Sequence, residues 1–247
     1  EGPGRMSEPG TIAEAAAALL ARSGGLEGKK VLVTAGPTRE TWDAIRFLSN
    51  RASGKMGYAL AGAARRRGAE VTLVSGPTSL PPPPGVPVVR VESAEDMRGA
   101  VMDALPGTSV VIKAAAVADY RPRRTEKGKI KKSGGELTLA LERTPDILEE
   151  IGKARGDGEN VPLLLVGFAA ETEDLVKNAK AKLREKGLDL IVANWVGERN
   201  GAMGADVSSI VLIDRSGRET ETQPLGKEAL AEIILDRVGE LLAEGKG

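Results

Sequence analysis

The 247-residue sequence predicts an α/β fold of three layers: a mostly parallel sheet between helices, with an antiparallel addition near the end. Three observations predict it. From Lys29 onward, short apolar runs rich in Val, Leu and Ile alternate with segments of helical periodicity. Each change of pattern is marked by Gly, Pro or a capping residue. Strand–turn–strand spacing enters only late, in "SSIVLIDRSGRET".

The elements follow in order. "TIAEAAAALLAR", Thr11 to Arg22, reads as a short helix stopped by Gly24-Gly25, in a leading segment, residues 1–28, that stands apart from the domain at 29–247. Val31 to Val33 form a buried strand. "GYALAGAARRRG" is a helix closed by Gly68, and Glu70 to Ser75 the next strand. "SLPPPPG" is a rigid, exposed link. "VPVVRV" is a third strand. "SAEDMRGAVMDAL" is a helix with Ser93 as N-cap and Asp96 three residues on. "SVVIKAAA" is a fourth strand, and "ELTLALE" alternates as a half-exposed strand should. "TPDILEEIGKAR" starts a helix with Pro145 in its first position. "PLLLVGFAAE" is the most apolar strand and belongs at the centre. "EDLVKNAKAKLREKG" is a helix with Leu175, Ala179 and Leu183 on one face, and "LDLIVAN" a further strand. A hairpin turning at Ser216-Gly217 precedes a last helix with Leu230, Ile233, Ile234 and Leu241 on one stripe. The order is Rossmann-like, so ligands are expected at the carboxyl ends of the strands.

Composition narrows the chemistry. Lys plus Arg and Asp plus Glu number 35 each, so charge gives no case for nucleic acid or a membrane surface. No apolar run approaches the roughly 20 residues that span a bilayer. There is no Cys and no His. Thiolate nucleophiles, Ser-His triads and the usual zinc sites are excluded. Lys, Arg, Asp, Glu, Asn, Tyr, backbone groups and bound Mg²⁺ remain, a set that suits phosphate-linked chemistry. The absence of Cys fits a cytoplasmic location.

Several stretches carry a chemical and a plain structural reading side by side. "SNRASGKMG" fails the Walker pattern: Met56 follows Lys55 where Ser or Thr would hold Mg²⁺. A helix starting at Ser53 or Gly54 would still aim free N–H groups at an anion, with Lys55 or Arg46 adding charge; the plain reading is a helix start with glycines for close packing. "VTAGPTRE" holds one glycine where a dinucleotide fingerprint needs three, and "VSGP" lacks the acid that binds a ribose. "KAAAVADYRP" ends a strand with small residues that admit a ligand, and Asp119 can meet a base, a ribose or Mg²⁺, or merely cap a helix. "RPRRTEKGKIKKSGG" is a basic flap over a polyphosphate or a solvated surface. Phe168 stacks on a base or packs in the core. Lys182 and Lys186 are, taken alone, ordinary surface lysines.

Together "TAGPTRE", "RFLSNRASGKMG", "VTLVSGP", "AAVADYRP", "KIKK", "TPDIL", "GFAAET" and "DLIVAN" resemble, in this order, the bacterial phosphopantothenoylcysteine synthetase domain of coenzyme A biosynthesis. The resemblance runs from about Lys29 to the last helix. "GPGRMSEP" is similar to the tail of the flavin-dependent decarboxylase that bacteria often fuse ahead of this synthetase, so residues 1–28 are expected to be a remnant of that fused domain.

The resemblance implies a ligase that joins 4′-phosphopantothenate to cysteine through an acyl-cytidylate made from CTP, with Mg²⁺, in a homodimer. It implies catalytic roles for Asn50, Arg46 and the flap lysine Lys129. It implies nucleotide contacts at Lys113, Ala114, Ala115, Asp119, Lys129, Pro145, Asp146, Ile147, Leu148, Phe168, Lys182 and Lys186, and phosphopantothenate contacts at Asn50, Gly54 and Gly57. Lys113 stands where a small residue is expected, so its contact is expected through backbone. "ELTLALE" is the candidate dimer strand. Two rival readings stand beside this one: a nicotinamide-dependent oxidoreductase, and a non-catalytic nucleotide-binding module.

Overall fold

The computed structural model describes residues 25–132, 134–156, 164–197 and 205–245. The helix expected over Thr11 to Arg22 lies outside these residues.

Fourteen strands, β1 to β14, and five helices, α1 to α5, are present among them. The main sheet contains β1 (Lys30–Ala35), β4 (Glu70–Ser75), β5 (Val88–Arg90), β6 (Val110–Lys113), β9 (Leu164–Glu171), β10 (Leu190–Trp195), β12 (Val211–Asp214) and β13 (Glu219–Glu221). Their spatial order is β13-β12-β10-β9-β6-β1-β4-β5. The six strands from β10 to β5 pair in parallel; β12 and β13 add the antiparallel end. The order reverses between β1 and β6, the switch point at which parallel sheets of this kind bind ligands.

Alternation along the strands divides the core. Val31, Val33, Ile112, Val166 and Val192 face α1 (Lys55–Arg66) and α5 (Lys227–Glu244). Leu32, Val111, Leu165 and Ile191 face α2 (Ala94–Ala104), α3 (Ile147–Gly156) and α4 (Leu175–Glu185). Leu26 is fully buried in the first cluster, so the chain packs onto the domain before β1 begins. Ser93 and Asp96 close a full capping box on α2. Gly217, at φ 88°, turns the β12–β13 hairpin where Ser216-Gly217 was expected to do so.

Two expectations need correction, and one element was not expected. "ELTLALE" is not a seven-residue strand: only β8 (Leu141–Arg143) pairs, with β7 (Tyr120–Pro122). Its partner is short and ends in a proline, and beyond the two strands the ladder is extended by one bond at each end, from Arg123 N–H to the Ala140 carbonyl and from Thr144 N–H to the Asp119 carbonyl. Pro145 is not the first residue of α3. Asp146 takes the cap, accepting from the Glu149 N–H at 3.0 Å, and the helix starts at Ile147. Residues 39–49 fold as a hairpin, β2 (Arg39–Thr41) with β3 (Phe47–Ser49), that local patterning did not show.

Candidate active site

The loops leaving β1 and β6 are fastened to each other. Ala115 N–H donates to Thr34 Oγ1, Ala116 N–H to the Gly36 carbonyl, Thr38 N–H to the Ala116 carbonyl and Ala118 N–H to Thr38 Oγ1. Small residues at 114–116 permit this approach, and the loop pair forms the floor of a cavity of about 440 Å³. Gly36, at φ 73°, opens into the β2–β3 hairpin and not into a helix, so no dinucleotide loop is built here.

One end of the cavity is the start of α1. Gly54 is the N-cap at φ 82°, no side chain caps the helix, and its first turn carries no acid. Its leading N–H groups and dipole therefore face the cavity as an anion-binding surface. Gly57 sets the height of that surface. A Cβ there would lie 2.5 Å from the Ala35 Cβ and 2.9 Å from the Thr34 carbonyl oxygen, so only glycine seats the helix this close to β1. Asn50 lies on the same rim. Its amide nitrogen donates to the carbonyls of Ala116 and Val117, at 3.0 and 3.2 Å. That fixes the side chain and leaves Oδ1 as an acceptor.

A second cavity of about 460 Å³ lies beside the first, lined by Pro145, Asp146, Ile147, Leu148 and Lys186 among others. Lys113, Val117, Asp119 and Lys182 line both cavities. Lys182 donates to the Phe168 carbonyl at 2.9 Å, and Lys186 pairs with Asp146 and Glu149. Lys113 is partly buried, and its side chain, not only its backbone, faces the shared wall. Loss of solvent, and then the nearby Lys182, pull its pKa down to about 8, while Asp146 and Asp119 hold it up. Phe168 lines the first cavity and packs against the core.

Two expected residues lie outside both cavities. Arg46 stacks over Trp42 and bonds to the buried Asp43 carboxylate, with Nε at 2.9 Å, and to the Ile130 carbonyl. Asp43 also accepts from the N–H groups of Ile45, Arg46 and Ile130. The Arg46 guanidinium first, then these N–H groups, hold its carboxyl well below the usual carboxylate range despite its burial. This cluster ties the basic segment to the hairpin, helped by Thr125 donating to the Thr41 carbonyl and Glu126 N–H to the Trp42 carbonyl. Lys129 sits next to this tether, exposed and away from the cavity walls.

Other lining residues were not singled out from the sequence. Asn194 and Trp195 end β10, and Lys227 begins α5. The polar end of "DLIVAN" was a usable signal for Asn194, since ligands collect at carboxyl strand ends. Nothing local distinguishes Lys227 from other helix lysines.

Comparison with known proteins identifies the family. Residues 26–242 match the family described as DNA/pantothenate metabolism flavoprotein C-terminal domain. The chain is 44% identical over 243 residues to the coenzyme A biosynthesis bifunctional protein CoaBC of Bacillus subtilis, covering 97% of this chain and 59% of that protein. It is 42% identical over 241 residues to CoaBC of Escherichia coli, covering 96% of this chain and 58% of that protein. The chain thus spans a little over half the length of these relatives. A crystal structure of the C-terminal domain of a CoaBC protein superposes with a TM-score of 0.76 at 42% identity, covering 90% of this chain and all of that one. With the match spanning β1 to α5 and the glycine-seated helix at the sheet's switch point, the chain belongs to the DNA/pantothenate metabolism flavoprotein C-terminal domain family.

Proposed function

We propose that the domain is a phosphopantothenate–cysteine ligase of coenzyme A biosynthesis that uses CTP. The observation that carries this reading is the pair of cavities meeting at one wall of Lys113, Val117, Asp119 and Lys182. The coenzyme A biosynthesis named for the relatives supports it further.

In this reading the substrate phosphate rests on the α1 N-terminus, at Gly54 and Gly57, and the pantothenate arm runs toward Asn50. The nucleotide spans the shared wall, against Lys113 to Ala115, Asp119 and Phe168 on the side of the first cavity and Pro145 to Leu148, Lys182 and Lys186 on the side of the second. A carboxylate oxygen attacks the α-phosphorus. The new O–P bond forms as the bond to the β-phosphate breaks, and pyrophosphate leaves. The cysteine amine then attacks the acyl carbon, loses a proton, and CMP departs. Both reactants are anionic, so the lysines at the wall supply the opposing charge. Asn50, with its N–H groups held by two carbonyls, offers Oδ1 to the incoming amine. Arg46 acts through the tether, holding the segment that carries Lys129. Closure of that segment brings Lys129 over the triphosphate.

Mg²⁺ fits the donors in one manner. Among the described residues no group of three or more acidic side chains could hold a metal ion. Asp146 is committed to Lys186, whereas Asp119 lines both cavities. An ion carried by the nucleotide phosphates, with Asp119 as its protein ligand, matches how Mg²⁺ is usually held. Such an ion would neutralise phosphate charge.

A homodimer completes the proposal. Tyr120, Leu137 and Leu141 are exposed on the β7–β8 segment, and Ile45 and Phe47 on the hairpin beside it. These side chains form an apolar face suited to a second copy.

Pyrophosphate release, measured with CTP and ATP side by side, with and without phosphopantothenate and cysteine, tests the reading. Release that needs CTP and phosphopantothenate together is expected. Equal rates with ATP would remove the CTP assignment, and no release with either nucleotide would remove the ligase.

A further inference from the structure

Lys227 is a charged group that the scheme above leaves idle. It is the first residue of α5, is partly buried, and lines the first cavity. Its Nζ donates to Ser208 Oγ at 2.6 Å. Burial lowers its pKa, and the neighbouring Lys55 lowers it again; Asp206 opposes both. Lys55 is the first residue of α1, lines the same cavity, and pairs with the exposed Asp206 at 2.5 Å. Two helices that share one face of the sheet thus each begin with a lysine at the same end of the same cavity. A partly desolvated ammonium whose direct bond is to a hydroxyl is costly unless an anion meets it.

We propose that Lys227 is a binding and selectivity residue for the phosphate of the acyl substrate, reaching from α5 toward the start of α1. The proposal rests on the ligase reading. The α1 N–H groups fix where a phosphate sits but bring only a fraction of a charge. A phosphate monoester is close to a dianion, and the Lys227 ammonium supplies the missing unit charge. A substrate with a hydroxyl in place of the phosphate would leave that ammonium unpaired. A site built around a charged group rejects the analogue that lacks it. Lys227 therefore sets the preference for phosphopantothenate over pantothenate.

The test uses the 247-residue chain with three substitutions. Lys227→Gln keeps a donor for Ser208 but removes the charge. Lys227→Arg keeps the charge. Ser208→Ala removes the hydroxyl and keeps the lysine. Pyrophosphate release is measured against phosphopantothenate, pantothenate and CTP, with calorimetric binding of phosphopantothenate beside it. Lys227→Gln is expected to raise the KM and Kd for phosphopantothenate about 10–100-fold, the loss of one charge-assisted hydrogen bond. The KM for CTP stays unchanged, and the preference over pantothenate falls by the same factor. Lys227→Arg and Ser208→Ala remain within about threefold of the unmodified chain. Unchanged discrimination in Lys227→Gln, or an equal rise in both KM values, would overturn the proposal and leave the ligase reading standing. No phosphopantothenate-dependent release by the unmodified chain would instead remove that reading, and this proposal with it.

Discussion

The two ends of the site are built by different means. At the α1 end the working parts are backbone: a left-handed Gly54, a Gly57 pressed on β1, and loops sewn together by main-chain hydrogen bonds. At the flap end they are side chains on a segment tied down through Asp43 and Arg46, with Lys129 outside the cavities. The first end is held by backbone contacts; at the second, the tethered segment keeps Lys129 away from the cavity walls. The contrast suits the proposed ligase, which would seat a small anion with precision and then cover a large, flexible triphosphate.

The largest expected effect breaks the rigid end. Gly57→Val places branched carbons where even a Cβ has no room, against Ala35 and the Thr34 carbonyl. The helix must lift from β1 or the domain must unfold. Overpacking of this kind costs about 1–3 kcal/mol. Denaturant unfolding should show that loss, and acyl-substrate binding should fall below detection in the protein that still folds. Full stability in this variant would mean that the helix is not seated as described.

The flap end should respond in rate alone. Lys129→Gln removes a positive charge from an exposed residue that lines neither cavity. Stability should therefore stay within about 0.5 kcal/mol. Pyrophosphate release should slow by about 10²–10³, as when a charge-stabilising donor is lost. An unchanged rate would make the segment solvated surface and nothing more.

The smallest effect sits at the wall between the cavities. Lys113 titrates near 8 in the fold and near 10.5 as an ordinary lysine. Between these values the unfolded chain binds more protons, so this residue makes stability rise with pH across that window. Below about pH 8 its full penalty is in place. Lys113→Met should stabilise the empty domain by about 1 kcal/mol at pH 7. The difference from the unmodified chain should shrink as pH rises from 8 toward 10.5. A difference that does not vary with pH would show that the lysine is not desolvated.

The same contrast explains what could be read from the sequence. The β4 strand, the Ser93 capping box, the Ser216-Gly217 turn and the α1 start were legible because each is a local pattern of period, cap or glycine. Asn50, Gly54, Gly57 and Lys182 were singled out by motif, and the fold brings all four to the lining of one cavity. The Asp43 cluster was not legible, since it joins residues 43 and 46 to Ile130 across more than 80 positions. "ELTLALE" alternates like a strand, but its pairing depends on a partner that Pro122 cuts short. Lys227 matters only because α5 begins beside α1, a consequence of topology that no window of sequence contains.

The division of labour between the two ends is tested most directly at Asn50, where they meet. Asn50→Asp keeps the shape but turns a carboxylate toward the Ala116 and Val117 carbonyls, which now receive N–H bonds. The α1 start and the flap lysine are untouched, so activation should proceed. Mass spectrometry of a single turnover with CTP, phosphopantothenate and cysteine should find accumulated acyl-cytidylate and little cysteine adduct. Normal adduct formation would contradict the role given to Asn50, and absence of the acyl-cytidylate in a folded variant would move Asn50 to the activation step.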